Sequence, residues 1–436
     1  WLRYYKMQSN NIIYLSDREY LSNKTIPKTL IEEMRSLGLI SPDMLKVSFC
    51  GVVSYPDGLA VFLPRNHHVL IETAGLAGHL LLQALLKYYQ SKDSGIYSKD
   101  DETEVIGGRA FSLASSLLDD YRSNGLYVRR MKEHTINSGK VNWSHTIARS
   151  TPFPTKNGPM YLDLVTSHSR YISNCETANI HAQVIKELYS GYGMLWLGLS
   201  SYFDENLELM SKPLGSAEIQ IAYLQRELQV SYSERDMFLI KGLIQYLRIK
   251  KGTNTNNVLI GICKFHSLWE SILDECLIGK YSVNSKLPVP VYKTADDEFI
   301  PVAKKGQRTD TVLKLPKENR FAVVDAKYYE ASSAATAPGW PDLVKQFYYQ
   351  NAVSILEGEH ALVSNHFIFP GRAGKLKAVY VAERDVEVKS ALDCLDQYSP
   401  INCHYQDPIA ALEAYVNGEK LTNLTDEIWG RDKAAL

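Results

Sequence analysis

The strongest constraint on the fold is where this chain places charge in Arg308–Tyr329, RTDTVLKLPKENRFAVVDAKYY. Thr311–Leu315 is an apolar run broken once, by Lys314. Pro316, Lys317, Glu318 and Asn319 make a turn, and Phe321–Val324 runs apolar into Asp325-Ala326-Lys327. The pattern predicts two strands joined by a turn, the second apolar enough to be buried. Side chains two apart on a strand share a face, so Asp325 and Lys327 point one way and Ala326 the other. Asp310, just ahead of the first strand, comes to the same end. Burying two acids and a lysine there without partners is unfavourable, so the cluster calls for a cation and an anion. A divalent cation held by carboxylates beside a lysine suits attack on a phosphodiester. An end-of-strand ion pair between Asp325 and Lys327 is the plain structural alternative.

The flanks supply further parts. Phe265, Leu268, Trp269, Ile272, Leu273, Cys276 and Leu277 recur at helical spacing upstream, with Glu270 on the flank of the stripe and His266 one turn before it. His266 reads as a packing residue. Downstream, Pro341–Gln350 reads as a helix with proline in its first turn. Its expected apolar side is Leu343, Val344, Phe347 and Tyr348, leaving Lys345, Gln346 and Tyr349 away from that side. His366–Pro370 and Lys377–Ala382 read as two more strands, and the tyrosines after Lys327 as strand packing.

The order helix, strand pair, helix, strand with these residues resembles the PD-(D/E)XK nuclease superfamily. TD…DAKYY together with FHxxWE resembles the restriction endonucleases of the LlaJI and McrC type, over roughly Leu259–Phe369. The resemblance implies an α/β protein: a C-terminal restriction-endonuclease-like domain, a mixed sheet flanked by helices, preceded by an α+β N-terminal region. It implies a catalytic set of Glu270, Asp310, Asp325 and Lys327. Mg²⁺ would be held by Asp310, Asp325, the Ala326 carbonyl and Glu270, with Mn²⁺ able to substitute. Lys345 and Gln346 become candidate DNA contacts. The implied activity is hydrolysis of double-stranded DNA in a host-defence restriction system. An McrC-like subunit that works only with a GTP-hydrolysing motor, a repair nuclease, and a non-catalytic DNA-binding protein of the same fold are the other readings. Cutting both strands implies two chains, as in a homodimer on DNA, or two successive nicks. Two departures stand out: Thr309 occupies the proline position, and the QxxxY signature of RecB-like nucleases is missing because Gln350 follows Gln346.

The chain has 436 residues and a net charge of −1, so DNA contacts must come from local clusters of cations. Six scattered cysteines without a CxxC pair argue against a zinc finger and against a disulfide framework. No P-loop is present, because Pro370–Leu376 has the wrong glycine spacing and lacks the Ser or Thr. No cofactor-binding residues are expected beyond the metal ligands. No apolar run approaches the ~20 residues of a membrane span, and no signal peptide is visible, so the cytoplasm is the default.

Three segments are expected: an α+β region at 1–125, a recognition or partner-contact region at 126–251, and the nuclease domain at 258–436. The boundary is placed at the linker Gly252–Asn257. Tyr127–Arg149 is dense in cations and reads as a basic hairpin with Trp143 on its second strand; GKVNWSHTI resembles a stretch of LlaJI-type proteins. Arg129, Arg130 and Lys140 are candidate phosphate contacts. A solvated sheet edge protected by its charges fits the same residues.

Overall fold

The computed structural model describes residues 12–43, 45–93, 105–189, 195, 204–252, 259–303, 306–358 and 360–431. Most of the expected linker, 253–257, lies outside them. The chain divides into two compact units. One gathers residues 1–108, 195–199 and 257–436, and the other holds 109–194 and 200–256. The three expected segments are therefore distributed differently, because residues before 109 belong to the same unit as the expected nuclease domain.

The cause is a short strand just after the linker. Leu259–Ile262 pairs antiparallel with Cys50–Tyr55, which forms a hairpin with Gly58–Leu63. The sheet order is Ile12–Ser16, Gly58–Leu63, Cys50–Tyr55, Leu259–Ile262, Val105–Ile106. Gly51 and Gly261 face each other across this pairing. A Cβ on Gly51 would sit 2.1 Å from the Ile260 carbonyl oxygen, so only glycine admits that approach. The strand then leads directly into the helix Phe265–Cys276.

The second sheet of this unit has the order Thr311–Lys314, Arg320–Ala326, Leu362–Pro370, Ile401–Gln406, Ala378–Val379. Its first and last pairings are antiparallel and the two central ones parallel. The result is a mixed sheet with helices, as expected for a restriction-endonuclease-like α/β fold. The strand Arg320–Ala326 is central and buried along Phe321–Ala326. Phe321 and Val323 pack with Val312, Tyr349, Ala352 and Val353, which ties the strand to the helix Trp340–Glu357. On the other helix, Trp269 is fully buried and its indole Nε1–H donates to the Ile368 carbonyl at 3.3 Å.

In the second unit, the expected basic hairpin is corrected. Arg129–Ile136 and Lys140–Val141 do not pair with each other; both pair with Val165–Ile172, which lies between them. Asn137 has a left-handed φ of 57°, and the Asn142 side chain caps the helix Trp143–Arg149 by accepting from the His145 N–H. Trp143 thus opens a helix rather than lying on a strand. Among the described residues, no helix is long and apolar enough to cross a membrane.

Candidate active site

The antiparallel register of Thr311 with Val324 brings Asp310 opposite Asp325 at the end of the buried strand. Asp310 keeps an exposed outer side, but its carboxylate reaches inward and accepts the Ala326 N–H at 3.1 Å. Removal from water raises the pKa of this carboxyl well above the usual range. The neighbouring Asp325 charge, a hydrogen bond to Asp325 and the Glu270 charge push in the same direction, and the Ala326 N–H opposes them. Asp325 is itself buried. Glu270, from the helix Phe265–Cys276, is half-buried and close enough to act on Asp310. His266 lies exposed one turn earlier.

Lys327 Nζ lies 2.9 Å from Asp325 Oδ2 and 2.9 Å from Asp342 Oδ1. Burial alone would lower its pKa, but the two carboxylates outweigh burial and hold the ammonium above its ordinary range. Asp342 is not among the residues the sequence pattern singles out. It sits in the first turn of Trp340–Glu357, where an acid also meets the positive end of the helix dipole. Tyr329 donates its hydroxyl proton to Asp342 Oδ2 at 3.1 Å, so this tyrosine is not simply strand packing. Tyr328 points the other way, and its buried hydroxyl accepts the Arg65 N–H at 2.8 Å.

Thr309, which stands where the sequence resemblance expects proline, is buried. Its N–H and its hydroxyl both donate to Asn284 Oδ1 at 2.9 Å, and Asn284 Nδ2 donates to the Thr309 carbonyl at 3.0 Å. Three hydrogen bonds fix the backbone entering Asp310 here, where proline would fix it through its ring.

Two expected DNA contacts are relocated. Gln346 is fully buried and its Nε2 donates to the Val323 carbonyl at 2.8 Å, which corrects its assignment to DNA. The buried face of this helix carries Leu343, Gln346, Tyr349, Ala352 and Val353, while Val344 is 57% exposed, so the true buried face is rotated from the expected one. Lys345 is exposed. In the other unit, Arg129 forms an ion pair with the buried Glu227, and Arg130 Nε donates to Ser169 Oγ at 3.1 Å; Lys140 is exposed.

Among the described residues, no group of three or more His, Cys, Asp or Glu side chains is arranged to hold a metal ion. The donor set around Asp310 and Asp325 is nevertheless all carboxylate oxygen, and burial together with the neighbouring carboxylates raises the Asp310 pKa. Magnesium needs only one or two carboxylates, taking its remaining ligands from water and phosphate. The residues fit that ion on donor chemistry.

The family model of the LlaJI restriction endonuclease matches residues 49–383. Comparison with curated proteins gives no match. Two similar solved structures come from Thermococcus gammatolerans. One is a half-complex of McrB AAA+ hexamers with bound McrC, 13% identical, covering 95% of this chain and 100% of that chain at a TM-score of 0.41. The other is an McrBC complex, 12% identical, covering 60% of this chain and 85% of that chain at a TM-score of 0.25.

Proposed function

Since the chain belongs to the LlaJI restriction endonuclease family, we propose that Asp310, Asp325, Lys327 and Glu270 form a Mg²⁺-dependent site that hydrolyses phosphodiester bonds of double-stranded DNA. The observation that carries this reading is the placement of Lys327 Nζ 2.9 Å from Asp325, at the strand end where Asp310 lies opposite. Asp310, Asp325 and the Ala326 carbonyl would hold Mg²⁺, and Glu270 would orient a water or a second ion. When bound, the ion would polarise the phosphate and acidify a water.

The chain's own residues do the rest. The buried strand fixes Asp325 and Lys327 in one frame, so little rearrangement is needed as negative charge develops. The Lys327 ammonium meets a non-bridging phosphate oxygen and offsets charge as water attacks phosphorus and the leaving oxygen departs. A neighbouring dication would favour the ionised form of Asp310, against the burial and like charge that raise its pKa.

The test is incubation of the full chain with Mg²⁺ and DNA of varied sequence and methylation, with and without a separate GTP-hydrolysing chain, followed by mapping of ends. Defined ends in either condition support the reading, and the comparison separates an autonomous enzyme from a motor-dependent subunit. Intact DNA in every condition opposes it and favours the non-catalytic DNA-binding reading.

A further inference from the structure

We propose that Asp342 and Tyr329 are a positioning pair that sets the direction of the Lys327 ammonium, an inference that rests on the nuclease reading of this site. An ammonium has three N–H donors. Lys327 Nζ lies in ion-pair contact with Asp325 Oδ2 and with Asp342 Oδ1, both at 2.9 Å. Two carboxylate neighbours leave the ammonium donor capacity for a phosphate oxygen. Lysine is a flexible four-carbon stem, and fixing it loses about 2 kcal/mol of rotamer freedom. Two anchors on different elements, a strand end and a helix start, achieve that fixing before DNA arrives.

Asp342 does more than neutralise charge. With Asp325 as the only anchor, the ammonium would settle on that carboxylate and compete with any cation there. Asp342 draws it sideways, toward the first turn of the helix Trp340–Glu357. The carboxylate is itself held: its second oxygen accepts the Tyr329 hydroxyl at 3.1 Å, which fixes the carboxylate plane. Asp325 lies at the end of the strand Arg320–Ala326, and Lys327 and Tyr329 follow within three residues of that end, so one short stretch of backbone supplies ligand, ammonium and tether. Asp342 touches neither DNA nor the reacting atoms in this scheme. It acts through Lys327.

The experiment uses the full chain in two independent readouts. The first is the rate of amine acylation at Lys327 in metal-free, DNA-free protein, followed by mass spectrometry. The second is single-turnover cleavage with Mg²⁺, alongside DNA affinity measured in Ca²⁺. Asp342→Asn is expected to raise Lys327 acylation several-fold and cut cleavage about 10- to 100-fold, the usual scale for losing an orienting partner, with DNA affinity unchanged. Asp342→Glu should recover part of both. Tyr329→Phe, which keeps every charge, should shift both in the same direction by a smaller factor. Unchanged acylation in Asp342→Asn overturns the proposal, as does raised acylation with wild-type cleavage. If the wild type does not cleave even with a GTP-hydrolysing chain supplied, the nuclease reading fails, and acylation alone still decides whether Asp342 holds the ammonium.

Discussion

Lys327→Ala is the perturbation whose size follows most directly from the geometry. The ammonium sits 2.9 Å from two carboxylates, and the side chains involved are only 15%, 8% and 17% exposed. Removing one partner of a buried ion pair leaves the others uncompensated, which destabilises by about 3–5 kcal/mol. The partial exposure of Asp342 places the expected loss near the lower end, about 3 kcal/mol. In a large unit that corresponds to a fall in Tm of roughly 6 °C.

The ammonium's pKa is held above its ordinary value of 10.5. Its contribution is therefore fully present below that value and lost only as pH rises through the folded one. The stability deficit of the variant should accordingly persist from about pH 6 to about pH 9. Cleavage should fall by about two to four powers of ten, the scale of one preorganised charge or acid–base group. Differential scanning fluorimetry and single-turnover cleavage read the two effects. Lys327→Arg should rescue poorly, because a planar guanidinium does not replace a point charge between two close acceptors. A variant with wild-type Tm and wild-type cleavage would refute the reasoning.

Gln346→Ala should destabilise by about 1–3 kcal/mol, because a fully buried side chain and its hydrogen bond to the Val323 carbonyl are lost, and should not change DNA affinity, as chemical denaturation and a binding titration would read. Arg129→Ala should lower the stability of its unit by leaving Glu227 buried without its partner, whereas joint neutralisation of Arg130 and Lys140 should flatten the salt dependence of DNA binding by about 0.9 log unit for each phosphate no longer neutralised; an unchanged slope would return those residues to a solvated sheet edge. Burial lowers the pKa of His366 to about 3 and of His404 to about 4, with the facing ring of His404 adding to the effect on His366. The unfolded chain binds protons there first, so stability should fall as pH drops below about 6.5, and His366→Gln should flatten that fall in acid denaturation curves.

The strand pair at Asp310–Lys327 and the helix carrying Glu270 were legible because each follows a single strong rule. An unbroken apolar run beside a proline turn reads as a buried strand, and a one-sided stripe reads as an amphipathic helix. The face of Trp340–Glu357 was not legible. Its buried side includes Gln346, a polar residue stabilised by one backbone carbonyl that no periodicity announces. The strand Ile401–Gln406 was missed for a similar reason: INCHYQ carries Asn, His and Gln on residues that are mostly half-buried. It inserts between the two strands that were expected. Asp342 escaped because the lysine it pairs with lies on a different element, just past a strand end, so that packing rather than spacing brings the two together. Its one sequence signal, an acid in the first turn of a helix, is common to many helices.

The most direct test of the site is Asp325→Ala in single-turnover cleavage at saturating Mg²⁺, with DNA binding measured in parallel and with the GTP-hydrolysing chain supplied if the wild type needs it. The account predicts no detectable cleavage with DNA affinity within a few-fold of wild type, because the proposed role of Asp325 is that of a metal ligand and not of a DNA anchor. Cleavage at the wild-type rate would contradict it.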